Sequence, residues 1–281
     1  MTQGVNLILI ITKARNEQAH LLSTDIKKWL QERGVTVEIQ ENQEHENIVP
    51  LCIPNPDMIL VLGGDGTMIS VARKLGDTPI PLLGLNMGRI GFLTELTPGN
   101  WQQRLLNILN QQYQFSPRIA LEYTVRRNAQ IIDSGRVVND LVINRGGMAR
   151  LIHLHLDFAG ESLGKLRADG LILATPTGST AYGVSAGGPL VFPELELYNI
   201  IPICPFMTGL RPLVLPSKQP FSVLIEPGPE AVYLTLDGQC GYTLEVGDRV
   251  EIRQAPTKLY FVQPKSSSYI NKLKANAYIK E

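Results

Sequence analysis

Five uninterrupted apolar residues, Met58 to Leu62, run into Gly63-Gly64-Asp65-Gly66-Thr67, and Met68 to Leu75 then continues with helix-compatible residues. A continuous apolar run of this length reads as a strand covered on both faces, and the segment beyond the glycines reads as a helix. Gly63, Gly64 and Gly66 permit positive φ and let a phosphate approach the backbone N–H groups with no Cβ in the way. Asp65 is an anion placed where another anion would bind. That is repulsive unless a divalent metal or a proton transfer makes it useful, and a general base or a metal-linked carboxylate suits phosphoryl transfer to a hydroxyl. A plain strand-to-helix turn with Asp65 as the helix cap accounts for the same residues without chemistry.

The flanking sequence repeats the pattern. Val5 to Thr12 reads as a strand, and Glu17 to Arg33 places Leu22, Ile26, Trp29 and Leu30 on one helical face before Gly34. Val35 to Gln40 is a second strand, Pro79 to Leu93 is another with a glycine-rich exit, and Trp101 to Leu109 reads as a closing helix. This alternation predicts an α/β domain with a Rossmann-like parallel sheet, whose ligands bind at the carboxyl ends of the strands. From about Arg118 the pattern changes to short alternating runs separated by turns, which predicts an all-β-rich, sandwich-like domain. The expected division is 1–116 for the α/β domain, 117–263 for the β-rich domain, and 264–281 as a tail docking back on the first.

Two further stretches carry polar groups where apolar ones are expected. In VVNDLVIN, Asn139 and Asp140 lie among apolar neighbours on an expected strand, and polar pairs there need partners. Asn offers donors and an acceptor while Asp accepts, a combination that suits adenine edges or ribose hydroxyls; a polar hairpin near Gly135 is the alternative. In LRADGLILATPTGSTAYGVSAGGP, Asp169 precedes a buried-looking strand that leads into a hydroxyl-rich turn, with a helix expected to start at Thr180. Tyr182 can stack on a base, and Gly183, Ser185, Ala186, Gly187 and Gly188 allow close approach of a ligand or another chain; capping and helix packing explain part of the run. Arg150, Lys165 and Arg167 bracket it as phosphate ligands or as solvated surface charges. His153 and His155 alternate along one strand with no third metal ligand in view.

Lys plus Arg equals Asp plus Glu at 26 each, so no global field recruits nucleic acid or an anionic membrane. Cys52, Cys204 and Cys240 are too few and too far apart for a disulfide framework or a zinc site. The early apolar stretch is too short for a membrane segment, and the expectation is a cytoplasmic protein. Neither the dinucleotide fingerprint nor the GxxxxGK[ST] phosphate loop occurs.

With VLGGDGTMI, VVNDLVINRG and ADGLILATPTGSTAYGVSAGGP in this order, the chain resembles the NAD kinases from roughly Val5 to Phe261. LGLNMGRIGFLTEL, RPLVLP and LDGQ add to the likeness. GGDGT alone also occurs in lipid kinases and in 6-phosphofructokinases, so a lipid or sugar kinase and a non-catalytic NAD(P) sensor are the alternatives. The resemblance implies phosphoryl transfer from ATP or polyphosphate to the 2′-hydroxyl of the adenosine ribose of NAD, giving NADP. It implies Asp65 as general base, and Gly63, Gly64, Gly66 and Thr67 as the phosphate loop. It further implies an NAD site of Asp65, Gly66, Asn139, Asp140, Arg150, Arg167, Asp169, Thr180, Ala181, Tyr182, Gly183, Val184, Ser185 and Gln239. A divalent cation, Mg²⁺, is expected on the donor phosphates rather than on protein side chains, and the implied assembly is a homodimer or homotetramer. Phe206 stands where relatives often have His, Gly183 and Val184 depart mildly from the usual residues, and Asp140 replaces the more usual Glu.

Overall fold

The computed structural model describes residues 4–42, 52–88, 91–147, 150–207, 209–228 and 231–279. The chain forms two compact units, Met1–Pro117 with Leu259–Glu281, and Arg118–Lys258.

The first unit begins with β1 (Leu7–Thr12), α1 (Glu17–Gln31), β2 (Thr36–Glu41), β3 (Met58–Leu62), α2 (Asp65–Lys74), β4 (Leu82–Leu85), α3 (Trp101–Leu109) and β5 (Tyr113–Arg118). β1 pairs parallel to β2 and to β3, and β3 pairs parallel to β4. All five residues of β3 are buried, as an unbroken apolar strand covered on both faces requires. Asn16 caps α1, its side chain accepting from the Ala19 N–H at 2.9 Å, and Ala19, Ile26 and Leu30 are buried while Leu22 and Trp29 pack beside them. The strand exits lie side by side: the Lys13 N–H donates to the Leu62 carbonyl at 3.0 Å, and the Gly63 N–H donates to the Leu85 carbonyl at 2.9 Å. This aligned edge carries the glycine turn.

The second unit contains β6 (Leu121–Arg127), β7 (Gln130–Val137), β8 (Asp140–Arg145), β9 (Ile152–Phe158), β10 (Glu161–Ala168) and β11 (Gly170–Ala174). A 3₁₀ turn, Thr177–Thr180, and the short helix α4 (Tyr182–Ser185) follow. Then come β12 (Leu197–Ile203), β13 (Leu213–Pro216), β14 (Phe221–Ile225), β15 (Val232–Leu236), β16 (Cys240–Leu244) and β17 (Arg249–Gln254). They form two six-stranded sheets, in the orders β10-β9-β14-β17-β6-β7 and β13-β12-β11-β8-β15-β16. Alternate residues of both sheets, such as Leu121, Leu154, Val223 and Ile252 against Leu141, Leu171, Tyr198 and Leu234, share one core. The second sheet is also covered on its other face, where Val142, Ile172, Ala174 and Ile201 cluster with Ala186 after α4. That double cover explains why β11 is apolar and buried at every position.

The chain then returns to the first unit as β18 (Leu259–Pro264) and α5 (Tyr269–Ala275). The first sheet has the order β2-β1-β3-β4-β18-β5. Residues 259–263, assigned from sequence to the β-rich domain, belong here instead: Leu259, Phe261 and Val262 are buried in a strand that runs parallel to β4, with Phe261 opposite Leu82. Of the tail expected over 264–281, residues 280–281 lie outside the described residues, as do 89–90 in the GRIGF segment.

Leu60, fully buried in β3, should lose about 2–5 kcal/mol of stability on substitution by Ala, whereas Leu21→Ala at a position 61% exposed should cost under about 0.5 kcal/mol. Denaturant unfolding of the two variants measures the difference.

Candidate functional site

The turn after β3 places Asp65 at the first position of α2. The helix cap is Gly64, with extended backbone and no side-chain cap bond, so Asp65 is free of the capping role that a bare turn would give it. Its carboxylate reaches instead to the second glycine-rich exit, accepting from the Phe92 N–H at 2.7 Å and from the Leu93 N–H at 3.1 Å. Gly91 makes this approach possible: a Cβ there would lie 2.3 Å from Asp65 Oδ1. Gly63, Gly64 and Gly66 permit positive φ, and none of them adopts it. Gly63 is required for close contact, because a Cβ would lie 2.5 Å from Thr67 Oγ1. The start of the ten-residue α2 adds partial positive charge beside the carboxylate, where phosphate oxygens are also favoured.

In the second unit the two remaining motifs form one site. Asn139 lies in the bend between β7 and β8 rather than on a strand, and Asp140 is the first residue of β8. The Thr175 N–H donates to the Asn139 carbonyl at 2.8 Å, and Thr175 Oγ1 donates to the Val138 carbonyl at 2.6 Å. Gly178 sits so tightly on the bend that a Cβ would lie 2.1 Å from the Asn139 carbonyl oxygen. Around this junction Asn139, Asp140, Val142, Asn144, Ala181, Tyr182, Thr235, Asp237 and Gly238 line a pocket of about 370 Å³. Asn144 Oδ1 is buried with no protein partner among the described residues.

Asp237, which sequence reading passed over in favour of its neighbour Gln239, holds the bend in place. Its carboxylate accepts from the N–H groups of Val138 at 3.0 Å, Asn139 at 2.7 Å and Asp140 at 3.3 Å. Asp237-Gly238 is readable as a hairpin turn, and both residues have positive φ, at 51° and 64°. Nothing local to Asp237 marks amides about a hundred positions earlier as its partners.

The other sequence candidates fall into distinct environments. Tyr182 is 47% exposed beside the pocket, available for stacking, while Ala181 and Val184 are half-buried and Ser185 is exposed. The hydroxyl-rich turn is not a helix starting at Thr180: it is 3₁₀ over Thr177–Thr180, and Thr180 Oγ1 bonds the Thr177 carbonyl at 3.3 Å. Gly183 and Gly188 pack against Ile201, whose Cδ1 would meet their Cβ atoms at 3.1 and 2.4 Å, so their small size serves the sheet. Asp169 pairs with Arg145 at 2.8 Å, a partner not singled out from sequence. Arg150 and Gln239 are exposed, and Arg167 lies 5.6 Å from the Phe206 ring centroid. Lys165 pairs with Glu226 at 2.8 Å. His155 Nε2 meets both Ser162 Oγ at 2.9 Å and Asp157 Oδ1 at 3.3 Å. Because both contacts fall on one ring nitrogen, that trio lacks the relay geometry of a nucleophile triad.

A carboxylate on a glycine turn at the carboxyl edge of a parallel sheet suits a nucleotide phosphotransferase, and so does the second unit's pocket of amide and carboxylate side chains. Residues 38–113 match the family model for the ATP-NAD kinase N-terminal domain, and residues 138–264 match that for the ATP-NAD kinase C-terminal domain. The NAD kinase of Nitratidesulfovibrio vulgaris strain Miyazaki F is 43% identical over 281 residues, covering 100% of this chain and 99% of the relative. That of Geobacter sulfurreducens is 41% identical over 273 residues, covering 95% and 96%. Among solved structures, yeast NADH kinase complexed with NADH superposes with a TM-score of 0.85 at 24% identity, over 99% of this chain and 89% of that one. An Archaeoglobus fulgidus NAD kinase in complex with ATP gives 0.76 at 25% identity, over 97% and 100%. The chain belongs to the NAD kinase family, and it is a phosphotransferase of that kind.

The pocket has an acid–base signature. Burial, and then the charge of Asp237, push the Asp140 carboxyl from its ordinary 3.8 up to about 7, against an opposing hydrogen bond from the Tyr182 backbone. Between those values the folded chain keeps a proton that the unfolded chain has released, so stability falls as the pH rises through the window, and the loss is complete above it. Asp140→Asn, which does not ionise, should therefore gain stability relative to the natural chain as the pH rises, by on the order of 4 kcal/mol at most above about pH 8, with the pH-dependent difference vanishing below about pH 3. Denaturant unfolding at acid, neutral and alkaline pH measures the crossover.

Proposed function

We propose that this chain transfers the terminal phosphoryl group of ATP, or of polyphosphate, to the 2′-hydroxyl of the adenosine ribose of NAD, with Asp65 as general base. The observation that carries this reading is the aim of the Asp65 carboxylate: it stands at the mouth of a phosphate-type turn, excused from helix capping, with each oxygen oriented by one backbone N–H. A carboxylate oxygen has two lone pairs, so each still has one with which to take a hydroxyl proton. The ribose oxygen attacks the terminal phosphorus as its proton passes to Asp65. The bond from that phosphorus to the bridging oxygen breaks, and the remaining donor phosphates leave. A positioned base of this kind contributes about 10²–10⁴ in rate.

Asn139, Asp140 and Asn144 supply the polar edges for the dinucleotide, Tyr182 a stacking face, and Arg150, Arg167, Asp169, Thr180 to Ser185 and Gln239 the remaining contacts; Gly66 lines the Asp65 side. ATP as donor is supported by the Archaeoglobus relative solved with ATP. Mg²⁺ is assigned to the donor phosphates, as the family resemblance implies. When bound, the ion neutralises charge on the transferring group. Among the described residues no helix is long and apolar enough to cross a membrane; the cytoplasmic location and the homodimer or homotetramer are part of the proposal on the strength of the family resemblance alone.

Incubation with NAD, Mg²⁺ and either ATP or polyphosphate should yield NADP. No NADP from either donor despite tight NAD binding would replace the kinase reading with that of an NAD(P) sensor. Asp65→Asn should retain NAD affinity while kcat falls by about a hundredfold or more, and undiminished kcat would remove Asp65 as base. Asp140→Ala should mainly raise the Kd for NAD, read by calorimetric titration; an unaltered Kd would place Asp140 outside the dinucleotide site.

A further inference from the structure

The loop that orients Asp65 is itself gripped from the far end of the chain. Lys272 Nζ, on α5, donates to the Phe92 carbonyl at 2.8 Å and to Glu95 Oε1 at 2.6 Å. The side chains of Lys272 and Glu95 are only 15% and 10% exposed, so solvent screens this pair little. Ser267 Oγ also donates to Glu95, at 3.0 Å, and the rings of Tyr269 and Tyr278 lie 6.3 and 5.7 Å from the Phe92 ring.

The Phe92 carbonyl and the Leu93 N–H belong to one peptide group. That group is planar, so Lys272 at its oxygen and Asp65 at its nitrogen hold opposite ends of one rigid plate. A cation on the carbonyl also polarises the amide, which strengthens the Leu93 N–H as a donor to Asp65 Oδ1. Without the ammonium the plate can turn about its flanking bonds, and the Leu93 N–H turns away from the carboxylate. A base must be set to a fraction of an ångström, and misplacement of about 1 Å costs up to about 10² in rate.

We propose that Lys272 is a positioning residue for Asp65, acting through the Phe92–Leu93 peptide to fix the carboxylate for proton abstraction. The proposal rests on the reading of Asp65 as the general base. It gives the C-terminal helix a part in turnover beyond packing.

Lys272→Met keeps the length of the side chain and removes its donors. In the full-length protein, amide hydrogen exchange at Phe92 and Leu93 should quicken, kcat should fall about tenfold, and the KM for NAD should stay within about twofold. In the Asp65→Asn background the same substitution should change kcat by less than about twofold, because there is no longer a base to misplace. A helix that merely stabilises the fold would lower kcat equally in both backgrounds, and that result overturns the proposal. Unquickened exchange at Phe92 and Leu93, or undiminished kcat in Lys272→Met while Asp65→Asn is impaired, overturns the positioning role alone and leaves the base in place. Undiminished kcat in Asp65→Asn overturns the base reading, and the proposal falls with it.

Discussion

Asp237 occupies the left-handed backbone region and gives its carboxylate to the N–H groups of Val138, Asn139 and Asp140. Each of those amides would cost about 1–3 kcal/mol if left buried and unmet, so the carboxylate determines whether the bend between β7 and β8 can exist at all. Everything in the pocket follows from that bend. It presents the Val138 and Asn139 carbonyls to Thr175, it receives the 3₁₀ turn over Gly178, and it starts β8 at Asp140. Three separate sequence motifs thus become one set of contacts.

Asp65 uses the same device to another end. It takes two amides rather than three, from a loop 27 and 28 positions away, and it lies at the start of a helix rather than beneath a hairpin. Asp237 gives its carboxylate to three amides of one bend and also lines the pocket beside it. The amides on Asp65 belong to a loop also secured by Thr94, Glu95 and Lys272, which on the proposed reading leaves them to aim the carboxylate. The distinction lies in what else holds the donating loop.

Sequence periodicity made the first sheet legible because β1 and β3 are apolar at nearly every position, and the face of α1 was legible because its buried residues recur at helical spacing. Alternation likewise exposed the sandwich, whose strands each give one face to a shared core. The membership of β18 was hidden, since a strand's periodicity says which face is buried but not which sheet it joins. Glycine function was half legible. Close approach is real at Gly63, Gly91 and Gly178, but the positive φ that the glycines of the phosphate turn permit is not used, and Gly183 and Gly188 meet Ile201. Asp237, Arg145 and Lys272 were missed for one reason: each acts on a backbone group or carboxylate that the chain brings near only by folding.

Asp140 shows why such a site is not what folding alone would select. Its neighbour Asp237 accepts from three amides, and the charge of that carboxylate joins burial in opposing ionisation of Asp140. A neutral amide of the same shape would remove the conflict with no loss to the sheet, where the Asp140 backbone pairs with Ala174 regardless of side chain. A group whose charged form is disfavoured by burial, and which lines a pocket, fits the proposed role of meeting a ligand there. The tension is confined to one end of β8. Leu141 and Ile143 are fully buried in the shared core immediately beyond, and they anchor the strand against it.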